Sequence, residues 1–387
     1  MPKEVDLKLN PTKELLSLVK AGRLFDLQRW VAAGKPLRAS ESERHPALLI
    51  QAVESGFHSM VEEILRTGEW TASELIEGFD TALQARRGDL AELLLEAGAP
   101  IQEVDFEELC SSMLVPLMRR FLESGGDPAR NNAFAHALDQ FKAKPLVGFY
   151  KQLRGEYPAL DDQAAFALSK AVSDKTIRWT CLLIWAGADP YRKVPSNWDD
   201  GDWEDELDYT TAAAEVCWRA DDAFFLAMKL KPTKEQALEL CSEAASRPSV
   251  VKFEALLRGL TADDLNTGDR KSCAALEKLV EHHHWEFTTP FHYSNKDEQR
   301  IPCIELLLNR GARWNPPIEE LRRGRSALGS HDGLYVVRVL RLLLYTPGAA
   351  DVGLVLELCR TPKMRSLIVG ADSELWDELQ ALRKLQP

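Results

Sequence analysis

The chain predicts an all-α fold built from stacked helix pairs. Three observations carry this expectation: apolar runs at helical spacing, a recurrent small-residue stop after each run, and a near-constant interval between stops. In CLLIWAGADPYRK, residues 181–193, Leu182, Leu183 and Trp185 supply an apolar face, and Pro190 forbids continuation. Gly187, between them, can take the left-handed conformation that closes a helix. The same stop recurs at Gly34, Gly68, Gly98, Gly125 and Gly155, and again at Gly259 and Gly311. From Gly34 to Gly187 the successive intervals are 34, 30, 27, 30 and 32 residues, as when one supersecondary unit is copied along a solenoid.

A second glycine divides each unit. Gly22 and Gly56 lie 12 residues before Gly34 and Gly68 and end the shorter runs ELLSLVKAG and ALLIQAVESG. In the third unit the corresponding glycine is Gly88, 10 residues before Gly98. Each unit therefore reads as two helices joined by a tight turn. These segments, HPALLIQAVESGFHSMVEEILRTG and DTALQARRGDLAELLLEAGAP above all, resemble the ankyrin repeat. A third, AASRPSVVKFEALLRG, carries Arg247 where the inner glycine would stand. The resemblance covers about Pro11 to Gly370 but is divergent: only His45-Pro46-Ala47-Leu48 approaches the repeat's Thr-Pro-Leu-His entry, so the hairpins are expected to be partly degenerate. It implies an ankyrin-like α-solenoid of about ten helix-turn-helix repeats, in line with 387 residues at roughly 33 per repeat.

A repeat array grows lengthwise, so one solenoid is expected over the full 387 residues. Within it, regular repeats occupy 1–195 and an acidic, aromatic insertion 196–211. Irregular repeats occupy 212–370, interrupted by a second insertion at 282–299, and a C-terminal cap 371–387. In this half the stops are far apart: 72 residues from Gly187 to Gly259 and 52 from Gly259 to Gly311. The N-terminus lacks the apolar stretch of a signal peptide, and no segment approaches 18 uninterrupted apolar residues, so the chain reads as cytoplasmic with no membrane partner. Seven cysteines, odd in number and without a Cys-x-x-Cys pair, read as reduced thiols in helix cores.

Sixty acidic against 48 basic side chains give a net charge of -12, which opposes a phosphate backbone. Arg86-Arg87, Arg119-Arg120 and Arg322 to Arg325 are short clusters on solvated helix faces, so no nucleic-acid partner is expected. Chemistry is equally sparse. Consecutive residues of His282-His283-His284 would point about 100° apart on a helix and cannot share one ion. GRSALGSHDG, residues 324–333, has one residue too many for a nucleophile elbow. Neither a phosphate-binding glycine loop nor a His-Glu-x-x-His motif occurs, so no catalytic residue, metal or cofactor is expected.

What remains is a protein-binding module. The insertion SNWDDGDWEDELDYTT interleaves Asp199, Asp200, Asp202, Glu204 and Asp205 with Trp198, Trp203 and Tyr209. Dense carboxylates keep such a segment solvated, while tryptophan and tyrosine are favoured interface anchors and the acids can steer a basic partner. Its acids lack the spacing of an EF-hand loop. The aromatics of the second insertion, Trp285, Phe287, Phe291 and Tyr293, read instead as cover for an exposed seam. The ankyrin resemblance implies protein recognition through concave helix faces and inter-repeat loops, without catalysis. Within that class the expectation is a cytoplasmic inhibitor of immunity type that sequesters a toxin or effector enzyme. A scaffold subunit of a larger assembly is the alternative, and a cryptic hydrolase a more distant one.

Overall fold

The computed structural model describes residues 11–37, 48–195, 209–268, 270–281, 293–322, 328 and 332–385. Helix dominates these residues; their only strand pairing is one two-stranded hairpin and two isolated bridges. The chain divides into two compact units, Met1–Ala167 with Trp185–Asp189, and Leu168–Ile184 with Pro190–Pro387.

In the first unit the helices come in short pairs: α1 (Pro11–Lys20) with α2 (Leu24–Ala32), α3 (Leu48–Ser55) with α4 (His58–Thr67), and α5 (Ala72–Gln84) with α6 (Gly88–Glu96). Two more follow, α7 (Phe106–Ser112) with α8 (Val115–Glu123) and α9 (Ala133–Phe141) with α10 (Lys144–Leu153). First helices pack on first helices, from α1 through α3, α5 and α7 to α9, and second helices on second, as in α2 on α4 on α6. Each amphipathic face is thus buried by the neighbouring pair. Leu94 is fully buried, and truncating such a leucine to alanine costs about 2–5 kcal/mol. Phenylalanines tie successive pairs together: Phe106 stacks on Phe121 at 4.7 Å and lies 5.9 Å from Phe134, which meets Phe149 edge-on at 6.0 Å.

Two further helices, α11 (Pro158–Ser173) and α12 (Ile177–Ala186), contribute residues to both units. The second unit continues with strands β1 (Val194–Pro195) and β2 (Tyr209–Thr210), then α13 (Ala212–Arg219), α14 (Asp222–Ala227), α15 (Lys234–Ala244) and α16 (Val250–Leu256). After the single turn α17 (Ala262–Leu265) come α18 (Ala274–Glu281) and α19 (Tyr293–Asn309). The chain ends in α20 (Ile318–Arg322), α21 (Gly333–Tyr345), α22 (Val352–Leu358), α23 (Pro362–Ala371) and α24 (Ser373–Leu385). Here α13, α15 and α18 stack in one row and α14, α16 and α19 in another. Helix α19 also packs on α21, and α21 on α23.

The expected helix stops are real, with specific departures. Gly34, Gly98, Gly187 and Gly311 all have positive φ. At Gly98 the closing bonds form the Schellman pair: Gly98 N–H donates to Leu95 O at 3.0 Å and Ala99 N–H to Leu94 O at 3.0 Å. Gly68 instead stays extended, and the Trp70 indole N–H donates to Ile64 O at 3.2 Å, covering the end of α4. Gly88 does not close a helix at all; it opens α6, and Arg86 two residues earlier takes the left-handed turn at φ 54°. Arg247 likewise does not replace an inner glycine: its turn leads through Pro248 to Ser249, whose hydroxyl caps α16.

One other expectation is corrected. Leu183 is fully buried, but Trp185 is 61% exposed, because residues two apart on a helix point about 200° apart and cannot share a narrow face. Lys151 lies over its ring, 3.3 Å from the centroid. Of the insertion expected at 282–299, residues from Tyr293 onward form the first turns of α19, and 282–292 lie outside the described residues.

Helices are also joined through arginines that reach a neighbouring helix end. Arg87 Nη1 donates to Gly56 O at 2.8 Å and Arg154 Nη1 to Ala186 O at 3.3 Å in the first unit. In the second, Arg383 Nη2 donates to Leu356 O at 2.9 Å. These bonds satisfy helix-end carbonyls left without intrahelical partners.

Candidate protein-binding surfaces

The acidic insertion is mounted on a hairpin. Strands β1 and β2 pair antiparallel, Val194 opposite Thr210 and Pro195 opposite Tyr209. The base is anchored on one side by buried Val194, 3% exposed, and on the other by Ala213 N–H donating to Pro190 O at 2.9 Å. Thr211 then caps α13, its hydroxyl accepting from Ala214 N–H at 3.0 Å. The chain therefore leaves and re-enters the second unit at adjacent points. Of the residues expected to bind a partner, Tyr209 stands on β2 and is 57% exposed. Trp198, Asp199, Asp200, Asp202, Trp203, Glu204 and Asp205 lie outside the described residues, as do the three histidines at 282–284.

In the first unit a groove of about 570 Å³ runs across the ends of α5, α7 and α9, with Arg86, Met113 and Gln140 on its walls. Arg86 and Met113 are both left-handed, at φ 54° and 61°, which turns these helix ends outward without a glycine. One turn before the end of α5, Asp80 carries a buried oxygen with no hydrogen-bond partner. Burial, followed by the charges of Glu108, Asp105 and Glu77, raises its carboxyl to about 6. The sequence shows each of these acids, but only the packing of α5 on α7 brings them together.

A third concavity, in the second unit, occupies about 520 Å³ between the ends of α14 and α16 and the start of α15. Leu226, 51% exposed, and buried Leu256 and Leu260 give it an apolar floor, and Lys229, Lys231 and Arg258 stand at its rim. This concavity has only a weak signature in the sequence. Its local signal is the run Lys229-Leu230-Lys231-Pro232-Thr233-Lys234, three lysines in six residues, but Arg258 joins them only through the fold.

Among the described residues no cluster of three or more His, Cys, Asp or Glu side chains is positioned to hold a metal. Six of the seven cysteines are buried, and burial pushes the Cys217 thiol up to about 12, far from a reactive thiolate. Buried Lys252 is bound to carbonyl groups and faces no cavity among those described. No helix among the described residues is long and apolar enough to cross a membrane. Comparison of the chain with protein-family models and with curated proteins finds no match to either.

Proposed function

We propose that this chain is an ankyrin-like α-solenoid that works by holding another protein. The observation that carries this reading is the β1–β2 hairpin, which interrupts the helix pairs and presents exposed Tyr209 at the foot of the acidic, tryptophan-containing segment. An element that adds nothing to helix stacking, yet carries aromatic anchors among carboxylates, suits recognition of a basic protein surface. The stacked helix pairs supply a rigid mount for it, and the net charge of -12 favours a basic protein over a nucleic acid. In the form proposed, binding sequesters the partner, as an immunity-type inhibitor holds a toxin or effector enzyme.

Affinity purification from the native host, with quantitative mass spectrometry, tests the reading. Wild-type bait is compared with bait carrying Trp198→Ala, Trp203→Ala and Tyr209→Ala. One dominant prey that is lost from the triple variant, and whose activity falls on adding the wild-type chain, is the expected result. A stoichiometric set of preys indifferent to the substitutions would indicate a scaffold, and no specific prey would remove the binding reading.

A further inference from the structure

We propose that the groove between α14, α15 and α16 is a docking site for an acidic peptide segment of a partner protein, seated by one aromatic or leucine side chain. Its floor is apolar and open: Leu226 is 51% exposed beside buried Leu256 and Leu260. Its volume, about 520 Å³, lies within the roughly 300–1,000 Å³ of sites that enclose a compact ligand group. Its rim is cationic in a protein whose net charge is -12.

The cations are available. Lys234 is held by Asp264, Nζ to Oδ2 at 2.9 Å, which leaves Lys229, Lys231 and Arg258 as the groove's free positive charges. None of these three side chains has a hydrogen-bond or ion-pair partner among the described residues. Lys229 and Arg258 follow the C-terminal ends of α14 and α16, where a cation offsets the helix dipole, yet neither side chain donates to a helix-end carbonyl. The backbone also commits Lys229 to its position. It takes the left-handed turn at φ 50° and leads into Pro232 and the Thr233–Gln236 capping box of α15. The capping box occupies the Thr233 and Gln236 N–H groups at the start of α15. A cationic rim over an apolar floor matches a peptide whose carboxylates flank a single bulky apolar side chain. A bare phosphate or a polyanion would use the rim alone.

This inference does not depend on residues 196–208, so its failure and that of the proposed function are separable. The test uses the full chain and fluorescence anisotropy with dye-labelled ten-residue peptides of aspartate and glutamate around one tryptophan, phenylalanine or leucine. Controls are the same peptide with glycine at the centre and a labelled oligothymidylate. Saturable binding of at least one acidic peptide is expected, weakened about tenfold or more by Lys231→Glu with Arg258→Glu, and also by Leu226→Asp. These side chains are exposed, and an unchanged thermal melt shows that the variants remain folded. Four outcomes overturn the proposal: no saturable peptide binding, equal affinity in the variants, equal affinity for the glycine peptide, or preferential binding of the oligonucleotide at the same residues.

Discussion

The Lys252 ammonium, on α16, donates to the Cys217 carbonyl at the end of α13 at 2.8 Å, and to Ala220 O at 2.7 Å. A lysine thus closes α13 from the next pair, where a left-handed glycine would otherwise stand. Lys252 is 2% exposed, and burial lowers its pKa below 10.5 despite the neighbouring acids. With a lowered folded-state pKa, the unfolded chain holds the proton more tightly, so this group's contribution to stability rises with pH from its folded pKa to 10.5. Denaturant titrations at neutral pH and near pH 10 should show that increment in wild type and not in Lys252→Met. At neutral pH the variant should lose about 1–3 kcal/mol, since two buried carbonyls lose their donor.

Asp80 predicts the opposite trend at acid pH. Its folded pKa, about 6, lies above the ordinary 3.8, so the stabilising protonated form is fully present below 3.8 and its contribution is lost as pH rises through 6. Asp80→Asn should therefore match wild type near pH 4 and exceed it above pH 7. Because the carboxyl is only half-buried, the gain should be about 1 kcal/mol after solvent screening, less than the full shift implies. A melting-temperature difference that does not grow with pH would contradict it.

The helix pairs were legible from the glycine stops, and the sites that escaped notice share one cause. After α5, α7, α9, α11 and α14 the left-handed residue is Arg86, Met113, Lys142, Lys175 and Lys229, not glycine. A left-handed lysine looks like any surface lysine in a sequence. The 72-residue gap after Gly187, long enough for two units plus the insertion, contains a helix pair that closes at Lys229, 30 residues before Gly259, without a glycine to mark it. The acidic insertion stood out by composition, whereas the β1–β2 pairing at its base did not. The basic groove did not, because its cations come from segments separated by a whole helix pair. Lys175→Gly should stabilise the protein by about 0.5–1 kcal/mol, the relief of left-handed strain less the entropy glycine adds to the unfolded chain. Lys170→Gly, inside α11, should destabilise it by about 1 kcal/mol. A chemical-denaturation series on the two variants checks the sign.

Thiol labelling separates one cysteine from the rest. Cys181 is half-buried, its thiol 3.5 Å from Ala227 O, whereas the other six are buried. Burial also pushes Cys303 and Cys359 up to about 12, so neither offers a thiolate near pH 8. A native-state reaction with a chromogenic disulfide reagent should modify Cys181 first and the others only at the rate of unfolding. Denaturation should release all seven.

Gly187 and Gly34 test the helix-stop chemistry against each other. Both have positive φ, 109° and 67°. A Cβ at Gly34 would meet nothing within 4 Å, so Gly34→Ala carries only the left-handed penalty of about 1–2 kcal/mol. A Cβ at Gly187 would run into the Arg154 guanidinium, which donates to Ala186 O at 3.3 Å beside the Tyr150 hydroxyl, itself 3.3 Å from Gly187 O. Gly187→Ala must then displace Arg154 and expose a helix-end carbonyl in addition to the backbone strain. Its cost should exceed that of Gly34→Ala by about 1 kcal/mol or more. In the Arg154→Ala background the excess should shrink, because the clash and the bond it breaks are already gone. A double-mutant cycle by urea unfolding measures this directly, and equal costs for the two glycines in the wild-type background would show that Arg154 plays no part in closing α12.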